Sequence, residues 1–318
     1  MHYTMGFDIG GTNIAAGLVD EQARIIRRAV MPYPIGKGHE AAALLVAQMA
    51  DKLTADEGVG MDKISGLGVA VPGSLDSRCK VVINAYNLQL RNVPFYDCLA
   101  GYFPNTPLFL MNDANAAAAA ELYAGALKGC KTAALVTLGT GVGGGLILNG
   151  KVFNGGNGSG VELGHMILQY GGELCTCGIR GCVEAYCTAT WLIKEGRRAV
   201  VERFNSRIAT EAGGDMDNVT AKLVMDCAKA GDTIALDIFG RFVERLAGAL
   251  LSIIHLLDPE VIAVGGGVGL AGDFLFSALR ERIGEKCFFK SFARIVPAAM
   301  GNDAGIIGAA IYGGHLRQ

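Results

Sequence analysis

The sequence predicts an α/β protein of two domains, and three observations carry this prediction. A chain of 318 residues is long enough for two domains with packed cores. Its apolar residues are mostly Ala, Val, Leu, Ile and Gly, whereas aromatic residues make up only 7%. A short apolar run, a glycine turn and a second apolar run also occur in this order twice, which indicates strands joined by glycine turns.

The two glycine turns have the composition of anion-binding loops. The first, Asp8-Ile9-Gly10-Gly11-Thr12, joins predicted strands at residues 5–7 and 14–19. The second, residues 138–145, joins predicted strands at 134–136 and 146–148. Without a Cβ in the way, backbone N–H groups of such turns can crowd around a phosphate. Two of them in one chain predict two clamps on one polyphosphate.

Two other interpretations of the second turn remain open. Gly139, Gly141 and Gly144 match the dinucleotide fingerprint G-x-G-x-x-G. That fingerprint requires a helix to open at the glycines, whereas β-forming residues and the hairpin signal Asn149-Gly150 follow here. Ordinary glycine hairpins are the other interpretation, but they do not explain why Asp8 and Thr12 flank the first turn.

The remaining elements follow from periodicity and from start and stop signals. Helices are predicted at residues 40–53, 114–127, 188–204, 220–230, 233–257 and 303–316. Buried strands are predicted at 64–71, 108–111 and 261–264, and the last ends in a third glycine turn, Gly265-Gly266-Gly267. Residues 204–218 are polar and irregular, which predicts an exposed loop.

Asn112 and Asp113 stand between a predicted strand and a predicted helix. Either side chain can cap the helix. A carboxylate at the carboxyl end of a strand of an α/β sheet is also where catalytic groups collect. Capping and catalysis are compatible roles for this pair.

Three of the nine cysteines form one short glycine-rich loop, 175–182, and the other six are scattered in mostly apolar neighbourhoods as expected of small buried residues. Three thiolates need a fourth ligand for a tetrahedron, and His165 lies ten residues before Cys175. A lone histidine is more often a core or surface residue, but the three thiols favour a closed, structural zinc site. Its predicted ligands are His165, Cys175, Cys177 and Cys182.

Charge and hydropathy exclude several partner classes. The formal net charge of −2 and the lack of a basic run argue against nucleic acid. The longest apolar helical run, 246–257, is too short to cross a bilayer. The predicted strand at residue 5 leaves no room for a cleavable signal, so a soluble, cytoplasmic protein is expected.

Together, these motifs resemble the ROK family of sugar kinases in the actin-like, ribonuclease-H-like ATPase superfamily, over residues 6–313. The first and second turns are similar to the family's phosphate turns, the third to its adenosine turn, and Asn112-Asp113-Ala114-Asn115 to its catalytic segment. The most specific resemblance is Gly160-Val161-Glu162-Leu163-Gly164-His165 followed by Cys175-x-Cys177-Gly178-x-x-Gly181-Cys182-x-Glu184. In overall character the chain resembles the glucokinase-like members.

The resemblance implies a two-lobed α/β fold with a cleft, a small lobe of residues 1–111 plus 301–318 and a large lobe of residues 112–300. It implies transfer of the γ-phosphoryl group of ATP, with Mg²⁺, to a hexose, with glucose 6-phosphate as the product and Asp113 as the general base. The implied nucleotide-binding residues are Asp8, Gly10, Gly11, Thr12, Asn13, Gly139, Thr140, Gly141, Gly265, Gly266 and Gly267. The implied sugar-binding residues are Asn112, Asp113, Glu162, His165, Glu184, Gly73 and Asn87.

Alternatives stay open within this resemblance. The hexose could instead be N-acetylmannosamine, N-acetylglucosamine, allose or fructose. Glu184 could be a solvated charge at a helix start. The family also contains sugar-responsive repressors with a helix-turn-helix segment before the first turn, and the seven residues before Asp8 argue against that class. A homodimer is expected.

Overall fold

The computed structural model describes residues 2–157, 160–203 and 205–314. Contacts divide the chain into two compact units. The first comprises Met1–Lys131, Gly145–Val161 and Met300–Gln318, and the second comprises Thr132–Gly144 and Glu162–Ala299. The predicted lobes of 1–111 plus 301–318 and 112–300 assign residues 112–131, 145–161 and 300 differently. The helix that begins at Asp113 joins the first unit because it packs against the last helix of that unit. Met1 and residues 315–318 of the predicted small lobe lie outside the described residues.

Strands and helices alternate along the described chain. The strands are β1 (Tyr3–Ile9), β2 (Asn13–Val19), β3 (Ile25–Pro32), β4 (Ile64–Val71), β5 (Ser74–Leu75), β6 (Val82–Ala85), β7 (Leu90–Val93), β8 (Leu108–Asn112), β9 (Ala133–Leu138), β10 (Val142–Leu148), β11 (Lys151–Phe153), β12 (Val261–Gly265) and β13 (Arg294–Pro297). The helices are α1 (Gly38–Glu57), α2 (Phe95–Ala100), α3 (Asp113–Ala124), α4 (Ala189–Glu202), α5 (Arg207–Glu211), α6 (Ala221–Lys229), α7 (Thr233–Leu257), α8 (Gly266–Gly269), α9 (Asp273–Lys286) and α10 (Ala304–Gly314).

The first unit is built on a five-stranded sheet of order β3-β2-β1-β4-β8. β1, β2 and β3 are antiparallel, whereas β1, β4 and β8 are parallel. Side chains alternate across β1, so Met5 and Phe7 enter the large core that includes residues of α1, while Gly6 and Asp8 face α10. The alternation therefore directs the Asp8 carboxylate to the α10 side of the sheet.

Glycines allow α10 to lie directly on this sheet. A Cβ on Gly6 would lie 1.9 Å from the carbonyl oxygen of Ile306, and one on Gly68 would lie 1.8 Å from that of Ala309. On another side of α10, a Cβ on Gly308 would lie 1.7 Å from the Ala116 carbonyl oxygen of α3. Backbone atoms occupy these places, so α10 is held between the sheet and α3 in one position.

We expect Gly68→Ala to destabilise the protein strongly. Its methyl group would overlap the backbone of Ala309, and overpacking of this kind costs about 3 kcal/mol or more. Thermal unfolding should then occur roughly 6–12 °C lower. Gly240→Ala is the matched control, since Gly240 is exposed in the middle of α7 with open space around it, and alanine there should stabilise by up to about 1 kcal/mol. Equal melting temperatures for Gly68→Ala and wild type would contradict this account of α10.

The second five-stranded sheet has the order β11-β10-β9-β12-β13, with β9, β12 and β13 parallel. In the second unit, α4, α6 and α9 pack against the long helix α7. β10 begins at Val142, inside the predicted turn of residues 138–145, so the second glycine turn comprises residues 139–141 in the structure. A strand follows it, so the dinucleotide interpretation, which needs a helix there, is wrong. Asn149 (φ 54°) and Gly150 (φ 72°) form the tight turn between β10 and β11, which confirms the hairpin signal.

Most predicted elements are confirmed, and two predictions are wrong in part. The helix predicted to reach residue 127 ends at Ala124, because the Glu121 carboxylate accepts the N–H of Ala126 (2.7 Å) and holds the chain in a turn. The predicted loop 204–218 contains α5, whose start is capped by the Ser206 hydroxyl (3.1 Å to the N–H of Ala209). Phe204 belongs both to this predicted loop and to the helix predicted at 188–204, and it lies outside the described residues. Residues 315 and 316 of the last predicted helix also lie outside them.

All nine cysteines lie among the described residues, and none of them forms a disulfide bond. Cys130, Cys187 and Cys227 are buried, as expected of scattered cysteines, whereas Cys79, Cys98 and Cys287 are half-buried. Within the described ranges, no helix combines the length and the apolar character that crossing a membrane requires.

Candidate active site and metal centre

The first glycine turn joins β1 to β2 in the first unit, as predicted. The N–H of Gly10 donates to the carbonyl oxygen of Asn13 (2.8 Å) and closes the turn. Gly11, Thr12 and Asn13 are exposed. A Cβ on Gly11 would lie 3.4 Å from the Cβ of Asn87, so Asn87 borders this turn. The turn offers backbone and hydroxyl groups to an anion from solvent.

Asp8 precedes this turn and is largely buried. A Cβ on Gly305, in the first turn of α10, would lie 2.3 Å from Oδ2 of Asp8, so the helix backbone packs on the carboxylate. Burial raises the pKa of Asp8 to about 6, and the negative charge of Asp113 adds to the rise. The sequence places Asp8 at a strand end, but its raised pKa arises only in the folded chain, from burial and from the charge of Asp113.

The sequence left open whether Asn112 or Asp113 caps the helix that follows them. Asn112 caps α3: its Oδ1 accepts from the N–H groups of Ala114 (2.9 Å) and Asn115 (3.1 Å). Its Nδ2 donates to the carbonyl oxygen of Gly73 (2.9 Å), which fixes the turn after β4. Gly73 has φ +87°, and a Cβ there would lie 2.0 Å from a backbone oxygen, so only glycine fits. The cap thus fixes the start of α3, where Asp113 stands.

Asp113 is the first residue of α3 and follows the carboxyl end of β8. Its Oδ1 accepts from the N–H of Ala114 (2.8 Å). Burial raises the pKa of Asp113, and the hydrogen bonds from the backbone N–H groups of Ala114 and of Asp113 itself oppose the rise. Asp8 and Asp113 are therefore two half-buried carboxyl groups of the first unit with raised pKa values, and the charge of Asp113 contributes to the rise at Asp8. Raised pKa values of this kind are common in catalytic sites.

Asp8→Asn should stabilise the ligand-free protein in a pH-dependent way. The pKa of Asp8 is higher in the folded state (about 6) than the reference value of 3.8, so ionising Asp8 costs folding free energy as pH rises through 6. The cost reaches about 3 kcal/mol at pH 7, and asparagine removes it. In thermal unfolding without Mg²⁺ or nucleotide, the gain over wild type should grow between about pH 4.5 and pH 7.

Asp76→Asn is the control of opposite sign for this titration. Backbone N–H groups of Val81 and Lys80 bond to Asp76 and lower its pKa, so its ionised form stabilises the fold. Asp76→Asn should lose stability relative to wild type as pH rises through the acid range. A gain for Asp8→Asn that stayed constant with pH would contradict the burial of an ionisable Asp8.

The second glycine turn is held by its carbonyl groups. The N–H of Ala189 donates to the Gly139 oxygen (2.8 Å), and the Thr190 hydroxyl donates to the Thr140 oxygen (3.2 Å). The oxygen of Gly141 accepts from the N–H of Gly139 (3.0 Å). The start of α4 and the turn itself therefore bond the carbonyl oxygens of the turn. Such an arrangement is typical of a loop that presents N–H groups to an anion.

The predicted metal ligands lie together in the second unit. One ligand atom from each of His165, Cys175, Cys177 and Cys182 lies within 4.8 Å of the others. Nδ1 of His165 is 3.8 Å from Sγ of Cys175, and the Sγ atoms of Cys177 and Cys182 are 3.7 Å apart. Thiolates bound tetrahedrally at about 2.3 Å are roughly 3.8 Å apart, so the donor set and its spacing fit a zinc ion.

The electrostatics of the cluster also fit a cation. Burial, the hydrogen bonds of neighbouring thiols and their charges raise the pKa of Cys182 to about 12. The thiols of Cys175 and Cys177 that cause part of this rise are themselves ligand candidates. A divalent cation would reverse the effect, since it stabilises the thiolate form of every ligand.

Glycine turns shape the loop of residues 175–182, which carries the three cysteines and is called the metal loop below. Gly181 has φ +90°, and a Cβ there would lie 1.8 Å from the Gln169 carbonyl oxygen, so the loop can fold back only with glycine at this position. The N–H of Leu168 donates to the Gly181 oxygen (2.8 Å), and the N–H of Cys175 donates to the Ile179 oxygen (2.9 Å). These contacts fold the loop back on itself and bring its three cysteines close together.

Glu184 connects this loop to the second glycine turn. Its Oε2 accepts from the N–H of Val142 (2.9 Å), and its Oε1 accepts from the hydroxyl of Thr176 (2.9 Å). A Cβ on Gly141 would lie 2.6 Å from Oε2, so the carboxylate packs directly on that glycine. Glu184 is half-buried and bonded, and the alternative of a solvated helix-start charge is wrong. Sequence reasoning missed Thr176, whose position between two cysteines carries no signal for this contact.

Glu162 comes immediately before the short 3₁₀ helix Leu163–His165 and is exposed. The N–H of His165 donates to the Glu162 carbonyl oxygen (3.1 Å), so the two residues are fixed relative to each other. Glu162, His165 and Glu184 thus belong to the second unit, whereas Asn112, Asp113, Gly73 and Asn87 belong to the first.

The third glycine turn borders a cavity that the sequence did not predict. Gly266 (φ +77°) admits no Cβ, since a Cβ would lie 2.3 Å from the Leu138 carbonyl oxygen. Beside the turn is a cavity of about 250 Å³ within the second unit. It is lined by apolar side chains, by Lys229 and by the ion pair of Lys222 with Asp226, together with the turn. The apolar lining includes Leu192, Met225 and Val268. These side chains come from α4, α6 and α8, and no sequence motif connects them.

Comparisons with known proteins agree with these features. The chain is 35% identical over 309 residues to a glucokinase of Thermotoga maritima, covering 96% of this chain and 95% of that protein. It is 32% identical over 309 residues to an N-acetylmannosamine kinase of Yersinia pseudotuberculosis, covering 97% of each. The crystal structure of a ROK family glucokinase from Streptomyces griseus with glucose and AMPPNP is 31% identical, with a TM-score of 0.81 over 98% of this chain and 99% of that one.

The family profile gives the same result over nearly the whole chain. The sequence profile of the ROK family matches residues 4–313. These residues include all three glycine turns, the segment from Asn112 to Asn115 and the metal loop. From this match, from relatives at more than 30% identity and from the shared two-lobe α/β fold, we conclude that the chain belongs to the ROK family.

Proposed function

We propose that this protein is an ATP-dependent hexose kinase that transfers the γ-phosphoryl group to a hydroxyl of glucose and forms glucose 6-phosphate. The observation that carries the proposal is the half-buried Asp113 carboxyl group, held at the start of α3 with a raised pKa. The glucokinases among the relatives support the hexose and the reaction.

Asp113 acts as the general base in this proposal. Phosphoryl transfer to an alcohol needs an acceptor for the hydroxyl proton, and a carboxylate with a raised pKa accepts a proton more readily than an ordinary aspartate. Burial supplies this rise, and the Asn112 cap keeps the first turn of α3 in place. The proton passes from the sugar hydroxyl to Asp113 as the oxygen attacks phosphorus.

Asp8 fits the role of a partner for magnesium. Mg²⁺ prefers oxygen ligands and keeps part of its water shell, so one buried carboxylate beside an exposed glycine turn is a suitable site. When bound, the ion would neutralise the phosphate oxygens. Asp8 stays ionised more readily beside a cation, which offsets the cost of its burial.

The glycine turns bind the nucleotide in this proposal. Gly11, Thr12 and Asn13 of the first turn, and Thr140 and Gly141 of the second, donate backbone and hydroxyl hydrogen bonds to phosphate oxygens. Gly10 and Gly139 shape the two turns, because their N–H groups close them. Gly265, Gly266 and Gly267 bind adenosine. The cavity of about 250 Å³ beside Gly267 supports this assignment, because its apolar wall suits a purine and Lys222 and Lys229 suit nearby negative charge.

The sugar hydroxyls bind to polar groups of fixed orientation. We assign Asn112, Asp113, Glu162, His165 and Glu184 to this role, with Gly73 and Asn87 as further neighbours. Nδ1 of His165 faces Cys175 in the metal cluster. If Nδ1 held a zinc ion, Nε2 would carry the proton and could donate it to a sugar oxygen, so the metal would set the tautomer. The closed Cys₃His site has a structural role, since four protein ligands leave no open position.

The proposal is tested by ADP release from Mg-ATP with metal-replete protein and single sugars. Glucose should give the highest kcat/KM. Preference for N-acetylmannosamine would instead favour the activity named for the Yersinia relative, and N-acetylglucosamine, allose and fructose complete the set. Failure of every sugar to stimulate ADP release would refute the kinase and leave a sugar-responsive regulator as the alternative.

A further inference from the structure

Thr176 lies between two metal-ligand candidates, and its hydroxyl connects the metal cluster, where it lies 3.9 Å from Sγ of Cys175, to a residue outside the cluster. Its hydroxyl donates to Oε1 of Glu184 (2.9 Å), while the other oxygen of that carboxylate accepts from the N–H of Val142 (2.9 Å). Val142 is the first residue of β10 and directly follows Gly141 of the second glycine turn. The two hydrogen bonds form one continuous connection from the metal loop to that turn.

We infer that Thr176 is a positioning residue for phosphate binding: through Glu184 it holds the second glycine turn in the shape that binds the nucleotide phosphates. This inference rests on the proposed kinase function. The metal loop then acts on the nucleotide as well as on the sugar. Residues 139–142, Thr176 and Glu184 all belong to the second unit.

The contacts of the second glycine turn show why the Thr176 hydroxyl matters for its shape. The carbonyl oxygens of Gly139 and Thr140 are bonded to the start of α4, so that side of the turn is anchored by helix residues. On the N–H side, Glu184 provides the hydrogen bond at Val142 and contacts Gly141. A glutamate side chain has three rotatable bonds, and the Thr176 hydroxyl restricts the last of them. Without that hydroxyl the carboxylate can rotate away from Val142.

Glu184 can hold both protein contacts and still bind a sugar. Each carboxylate oxygen has two lone-pair directions. Oε1 accepts from the Thr176 hydroxyl (2.9 Å) and from the Cys175 thiol (3.7 Å), whereas Oε2 accepts from the N–H of Val142 (2.9 Å) and has a second lone pair. A sugar hydroxyl on that second lone pair would strengthen the same orientation. The positioning role of Thr176 therefore does not compete with the sugar-binding role proposed for Glu184.

The test compares Mg-AMPPNP with adenosine on metal-replete protein by titration calorimetry. Thr176→Val should weaken Mg-AMPPNP binding about 10-fold, the order of one hydrogen bond to a charged group, and should leave adenosine binding unchanged because adenosine has no phosphates. Thr176→Ser keeps the hydroxyl and should stay close to wild type. Hydrogen exchange in residues 139–144 should rise in Thr176→Val and remain at the wild-type level in the serine variant.

Thr210→Val is the matched control. The Thr210 hydroxyl donates to the Ser206 carbonyl oxygen in α5, and Thr210 belongs neither to the metal loop nor to a glycine turn. Zinc content is measured for every variant. Unchanged Mg-AMPPNP affinity in Thr176→Val would overturn the inference while leaving the kinase intact. Loss of metal together with an equal loss of adenosine binding would also overturn it, because Thr176 would then act only through the metal. Wild-type protein that binds neither Mg-AMPPNP nor glucose would refute the proposed function itself.

Discussion

Asp113→Asn should lower kcat by about 10²–10⁴-fold, the usual contribution of a general base, with little change in glucose affinity. The amide of asparagine matches the carboxylate in shape, so the capped start of α3 is retained, but it cannot accept the hydroxyl proton. The measurements are steady-state kinetics and calorimetric titration with glucose.

The pH dependence of the wild type provides a second readout. Burial raises the pKa of Asp113, so kcat should fall as pH decreases through this raised pKa and the base becomes protonated. Asp51→Asn, at an exposed position of α1, is the control and should keep full activity. Normal turnover by Asp113→Asn would remove Asp113 from the role of base.

Cys177→Ser should lose the bound zinc and destabilise the second unit. A serine hydroxyl is a poor zinc ligand, and three remaining ligands cannot close the tetrahedron. Because metal binding contributes folding free energy, the midpoint of thermal unfolding should fall by roughly 10 °C. Zinc content by elemental analysis and thermal unfolding are measured on the same preparation.

A cysteine outside the metal loop provides the comparison. Cys98→Ser, at a half-buried position of α2, should keep the metal and nearly the wild-type melting temperature. Treatment of wild-type protein with a strong chelator should reproduce the Cys177→Ser melting temperature. Full zinc content in Cys177→Ser would show that the ligand assignment is wrong.

Features set by neighbouring residues could be predicted from the sequence. Helix α7 has the predicted bounds, because the Asp232 side chain caps its start (2.8 Å to the N–H of Ala235) and Pro259 follows its end. The Asn149-Gly150 turn forms because these residues adopt positive φ at little cost. The metal cluster was predictable for the same reason, since three of its four candidates lie within eight residues.

Features that depend on distant residues were not predictable. The end of α3 depends on Glu121, whose carboxylate accepts from the N–H of Ala126 and from that of Met300 (2.8 Å), 179 residues later. Helix α5 interrupts a segment whose composition indicates a loop. The cavity beside Gly267 collects side chains from three helices. None of these arrangements has a pattern within one segment of chain.

The sequence by itself determined the α/β class, the glycine turns, the cluster of one histidine and three cysteines, and the family, because each of these depends on short spacings, turn residues or local periodicity. The tertiary structure alone decided which of these groups have altered chemistry. Asp8 acquires its raised pKa when α10 packs on it, and Glu184 becomes the connection between the metal loop and the second glycine turn. Burial and hydrogen bonding between distant segments are the physical reason, since neither exists until the chain is folded.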